Sequence, residues 1–180
     1  MDKRFLAAFT DPTARTLILG RFVSPFCLLH RVKLEAVESP FVRSGKDFRP
    51  IDLLIAVKIC AGEPVGKLTW KDSWYLGRMR ASEAYFVRQL VRFSEFVMIE
   101  AWPKFWEKNT NQKDTSGIPW PLNVVTGLMK HGVTEERAWT MPEAQAIWLH
   151  SAIAIANGAD MKVFTAEDEA LIEQLEKTQE

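Results

Sequence analysis

The chain has 180 residues, 47% of them hydrophobic and 26% charged, with 23 Lys and Arg balanced by 23 Asp and Glu. Those proportions belong to a folded globular protein and exclude a disordered or collagen-like chain. Two cysteines, Cys27 and Cys60, are too few for a disulfide scaffold; each lies in an apolar run where a thiol acts as a small hydrophobe, which fits a reducing compartment.

The two halves differ in charge. Residues 1–90 carry 15 bases and 9 acids, and residues 91–180 carry 8 and 14, a balance of +6 against −6. Such asymmetry can mark an anionic partner for one end, but the bases are spread out and never form a polybasic cluster, which favours two ends of one fold that attract each other or a neighbouring copy. Asp2, Lys3 and Arg4 precede only a short apolar stretch with no small-residue cleavage site, so no signal peptide is expected. The longest uncharged run, 144–159, contains Gln145, His150, Ser151 and Asn157 and falls short of the roughly 20 apolar residues of a membrane span. A soluble protein with no membrane contact is expected.

Apolar spacing is helical along most of the chain. Ser24-Pro25 followed by Phe26, Leu28, Leu29, Val32, Leu34 and Val37 predicts a helix with a serine cap that stops near Ser39-Pro40. Pro50 opens a second, largely buried helix that ends at Gly62 or Pro64. Thr69 with Asp72 forms a capping-box pattern, a hydroxyl for the third residue's amide and an acid reaching back. From Lys71 to Trp106 two apolar stripes predict one long helix. It would extend about 54 Å, against a radius of gyration of about 16 Å for a compact chain of this size, so it must either break, with Gly77 as the candidate, or project from the body.

Residues 109–117 contain no apolar side chain and read as a linker. Beyond it three short helices are predicted: Leu122 to Lys130 closed by His131-Gly132, Pro142 to Ala156 closed by Asn157-Gly158, and Ala166 to Lys177. The expected fold class is all-α: an irregular helical bundle with one long central helix and a small C-terminal three-helix part. The expected division is an N-terminal helical domain 1–108, a polar linker 109–118 and a C-terminal helical subdomain 119–180.

Cys27 and His30 stand three apart on one helix face, but no second ligand pair accompanies them, so no metal site is expected. His150 reads as a buried imidazole rather than a base. There is no G-x-S-x-G elbow and no phosphate-binding glycine loop. The acid groups Glu135/Glu136 and 167–169 stand at helix starts, where the macrodipole favours them. Arg78, Arg80, Arg88 and Arg92 share the long helix with Tyr85 and Phe86, but Glu83 and Glu95 interrupt the field and the pI is near 6.8. That is well below a nucleic-acid footprint, so no nucleic acid is expected. No catalytic residue, cofactor or metal emerges, and an enzyme is the least favoured class.

Seven tryptophans remain, most of them near helix ends and linker edges. Trp102, Phe105 and Trp106 before the linker, with Trp120 after it and Trp139 beyond, would form an exposed aromatic patch if the two parts separated. Such patches mark partner sites, and these five residues are the candidate partner-binding set.

The order of features carries a resemblance. Ser24-Pro25-Phe26 with His30, the stretch Leu34 to Phe41, and Asp52 to Cys60 resemble the N-terminal region of helical proteins from tail modules of tailed phages and prophages. Leu128 to Trp139 followed by Met141-Pro142-Glu143-Ala144 is similar to phage tail assembly chaperones. Together these cover about half the chain. The resemblance implies a non-enzymatic, mostly helical protein of the host bacterial cytoplasm that binds the tape measure protein, keeps its long apolar helices from aggregating and brings tail tube subunits to it. Two other readings stand beside it: a virion structural protein of the neck or tail, and a small helical DNA-binding regulator.

Overall fold

A computed structural model describes residues 2–10, 16–43, 47–97, 101–105, 117–164 and 168. Within them the chain is mostly helical, with α1 (Lys3–Thr10), α2 (Leu28–Ala36), α3 (Pro50–Cys60), α4 (Trp70–Ala81), α5 (Glu83–Val97), α6 (Trp120–Lys130), α7 (Glu135–Thr140) and α8 (Glu143–Ala156). It is not purely all-α. Strands β1 (Thr16–Ile18) and β2 (Arg21–Val23) pair antiparallel, with Leu17 opposite Phe22. The hairpin turns on Leu19 and Gly20, at φ 47° and 67°, the left-handed pair that a tight two-residue hairpin needs.

The long central helix expected from Lys71 to Trp106 is two helices. Ser82 is extended (φ −142°, ψ 105°), and its hydroxyl accepts from the Tyr85 amide at 3.3 Å, so one residue ends α4 and caps α5. Gly77, the expected break, is helical. Helix α5 is described as far as Val97, and the described residues 101–105 are not α-helical.

Helix α2 also differs from expectation. Its N-cap is Cys27, not Ser24; Ser24 instead donates through its amide (3.3 Å) and hydroxyl (3.2 Å) to the Cys60 carbonyl at the end of α3. The helix closes through Glu38, at φ 53°, with the Ser39 amide donating to Leu34 at 2.9 Å, a Schellman-like end just before Pro40. The predicted starts of α3 and α4 and the ends of α6 and α8 agree with the structure to within about two residues. The linker 109–117 and the last predicted helix, 166–177, lie almost wholly outside the described residues.

Helix α3 is the centre of the main core. Leu53, Leu54, Ala56, Val57, Ile59 and Cys60 are all buried, against Ile18 and Val23 of the hairpin, Leu76 and Met79 of α4, and Phe93 and Phe96 of α5. A second cluster gathers Val124, Val125 and Leu128 of α6, Ala138 of α7 and Ala146 of α8 around Leu28, which α2 contributes from the N-terminal side.

Backbone contacts join the same two regions. The Glu143 amide donates to the Phe26 carbonyl at 2.8 Å, and Cys27 and Pro142 form an antiparallel bridge. Side chains of α8 add to these: the Gln145 side-chain amide donates to the Ala8 carbonyl at 3.1 Å, and the Trp148 indole donates to the Ala101 carbonyl at 3.0 Å.

Candidate partner-binding surface

Two buried charge clusters position the aromatic side chains. In the first, Asp72, in the first turn of α4, accepts from the Lys58 ammonium (2.9 Å), from the Thr69 amide (2.8 Å) and from Arg21. Lys58 also donates to the Lys67 carbonyl at 2.7 Å, and Arg21 pairs with Glu63 at 2.9 Å. Burial alone would raise the Asp72 carboxyl, but the Thr69 hydrogen bonds and the Lys58 and Arg21 cations hold it at about 2. This cluster ties β2, α3 and α4 together and so fixes where α4 begins.

The consequence is a helix turned against the usual pattern. Asp72, Leu76 and Met79 face the interior, while Trp70 and Trp74, one turn apart, face solvent at 76% and 52% exposure. Lys71 lies 5.8 Å from the Trp70 ring centre, and the Arg78 guanidinium lies 5.4 Å from Trp74 and 4.3 Å from Tyr85. Trp74 also meets Tyr75 edge to face, with ring centres 4.8 Å apart. Burial raises the Tyr85 phenol above its ordinary value, and the positive charges of Arg78, Arg88 and Arg92 offset this only in part. Leu68, just before α4, and Val87 and Val91 on α5 are exposed as well.

The second cluster takes up two of the aromatic residues expected to bind a partner. Trp102 and Trp120 stand 5.8 Å apart at 64°. The Arg31 guanidinium lies 5.0 Å from the Trp102 ring centre, 5.4 Å from Trp120 and 5.6 Å from Phe26. Arg31 grips Glu143 through both carboxylate oxygens, with Nη2 to Oε2 at 2.9 Å. Burial raises the Glu143 carboxyl and the Arg31 hydrogen bonds pull it down, leaving it above the usual range. Among the described residues, the Trp102 indole nitrogen and His30 Nδ1 are buried without a hydrogen-bond partner.

The other expected site residues are dispersed. Phe105 pairs through its backbone with Val163, beside a bond from the Phe164 amide to the Lys104 carbonyl at 2.8 Å. Trp139, half-buried on α7, packs against the second core cluster. Trp106 lies outside the described residues.

The two thiols and His30 are buried. Burial raises both thiols and lowers His30 to about 4, with Lys33 adding to the latter. His150 is half-buried on α8 and packs so closely on Gly127 that a Cβ at Gly127 would lie 2.6 Å from its ring. Among the described residues no group of three or more His, Cys, Asp or Glu could hold a metal ion, and no helix is long and apolar enough to cross a membrane. An open groove of about 500 Å³ is lined by Val37, Glu38, Pro40, Asp47, Arg49 and Asp52, where Arg49 pairs with Asp52 at 2.9 Å and Glu38 with Arg43 at 3.0 Å.

What sequence reasoning missed is the outward face of α4. Asp72 gave the signal: an acid that completes a capping box and faces the core turns positions 70 and 74 outward. Comparison with known proteins finds no matching protein-family model, no matching curated protein and no matching solved structure.

Proposed function

We propose that this protein is a non-enzymatic holding protein for another polypeptide, and specifically a phage tail assembly chaperone acting in the host bacterial cytoplasm. Its client is the tape measure protein, and the tail tube protein is a further partner. The observation that carries the reading is the solvent-facing indole pair Trp70 and Trp74 on a charged body. Large exposed rings cost solubility unless something covers them, and contiguous apolar surface rimmed by charge is how proteins bind apolar partners. The identity of the client rests on the resemblance of the segments around Asp52 to Cys60 and Leu128 to Trp139.

The Trp102 and Trp120 pair is a second surface in this reading. Trp102 is half-buried and Trp120 is 38% exposed, so the pair already offers part of its ring surface beside Arg31.

The test is co-expression with a tape measure protein of a tailed phage, the long helical client that the resemblance implies. A holding protein raises the soluble fraction of that client several-fold. Equal insolubility of the client with and without this chain would reject the proposal.

A further inference from the structure

We propose that the α4–α5 surface carrying Trp70, Trp74 and Arg78 docks an acidic amphipathic helix of the partner polypeptide. The inference rests on the holding-protein reading and adds the chemistry of the partner.

The first argument is charge. Between residues 66 and 95 the exposed ionised side chains are Lys67, Lys71, Arg78, Arg80, Arg88 and Arg92, against only Glu83 and Glu95; Asp72 is sealed inside with Lys58 and Arg21. A chain of zero net charge therefore concentrates positive charge around its most exposed indoles, and carboxylates are the complementary partner groups.

The second argument is shape. Trp70 and Trp74 are four residues apart on one helix and make a ridge one turn long, which fits the groove between apolar side chains at i, i+3 and i+4 of a facing helix. Leu68 beside Trp70 extends the apolar part of that ridge. Lys67, Lys71 and Arg80 are placed to meet acids flanking the partner's apolar stripe.

A single-stranded nucleic acid would use the same charges but needs open ring faces for its bases. Here Lys71 lies near the Trp70 ring, and Arg78 is shared between Trp74 and Tyr85. The exposed aliphatic groups Leu68, just before α4, and Val87 and Val91 on α5 favour an apolar helix over a base.

The experiment titrates the full-length protein with a synthetic helical peptide of about 18 residues, five turns long, with leucines at i, i+3, i+4 and i+7 and glutamates elsewhere. Its twin carries lysine in place of every glutamate, and an oligothymidylate is the third probe. Calorimetry at about 0.1 M salt keeps screening moderate. The acidic peptide binds at least about tenfold more tightly than its basic twin, and W70A/W74A weakens it at least about tenfold. K71E/R80E, which leaves the indoles in place, weakens it similarly, and both variants keep the wild-type unfolding midpoint.

Equal binding of the two peptides, no binding of the acidic one, or full affinity in both variants overturns the inference. Oligothymidylate binding that disappears in the same variants also overturns it, assigning the surface to nucleic acid. If any of these occurs while co-expression still keeps the client soluble, the docking inference fails and the holding-protein reading stands; if co-expression fails, that reading falls on its own test.

Discussion

Arg31 on α2 and Glu143 at the start of α8, 112 positions apart in the chain, form a two-pronged ion pair with the Glu143 side chain only 1% exposed. Three aromatic rings surround the guanidinium. Breaking such a pair from one side strands a buried charge, at a cost of about 3–5 kcal/mol. Arg31→Ala or Glu143→Ala is therefore expected to lower unfolding stability by that amount in a denaturant titration. The joint replacement Arg31→Met/Glu143→Leu loses much less, because no charge is stranded. A single-variant loss below about 1 kcal/mol would show that the pair behaves like an exposed salt bridge.

His30 makes stability depend on pH. Its folded value is about 4, below the ordinary 6.5, because burial disfavours the imidazolium and Lys33 adds repulsion. As pH falls, the unfolded chain takes up the proton first, so stability is full above about 6.5 and declines between about 6.5 and about 4, by up to about 3 kcal/mol. Since His30 Nδ1 has no partner, His30→Leu forfeits no hydrogen bond at that atom and removes this decline. Glu143, raised by burial, contributes with the opposite sign, stabilising below its unfolded value and less as pH rises through its folded one. The prediction is accordingly the difference between wild type and variant across the window, and parallel curves would refute it.

Gly20 faces two separate constraints. Its φ of 67° disfavours any side chain, and a Cβ there would overlap the Tyr75 hydroxyl of α4. Left-handed backbone costs about 1–2 kcal/mol, and overpacking adds about 1–3 kcal/mol. Gly20→Ala is expected to lose at least about 2 kcal/mol by thermal or denaturant unfolding. Adding Tyr75→Phe recovers the overlap part and leaves the backbone part. Full recovery, or none, would show that only one constraint acts.

Local signals in the sequence located several helix ends: Pro50 opens α3, the Thr69 and Asp72 capping box opens α4, and His131-Gly132 and Asn157-Gly158 close α6 and α8. Each is decided by residues within one turn. The hairpin was not legible, since three-residue strands give too little alternation to distinguish them from a loop, and Ile18 and Val23 are its only wholly buried apolar side chains. Ser82 followed by Glu83 was a readable cap inside the long apolar stripe, but continuous periodicity concealed it. The Arg31–Glu143 pair left no local trace because its partners meet only through folding. For the same reason, residue type alone did not separate Trp70 and Trp74, 76% and 52% exposed, from Trp102 and Trp120, which meet beside Arg31 with Trp102 half-buried and Trp120 38% exposed.

The central claim is that the α4 indoles are held open for a partner polypeptide. Hydroxyl-radical footprinting read by mass spectrometry tests it directly, comparing side-chain oxidation in the free protein and in the complex purified with its co-expressed client. The account predicts that Trp70 and Trp74 oxidise faster than Trp148 in the free protein and become protected in the complex. Trp70 and Trp74 remaining as reactive in the complex as in the free protein would contradict it.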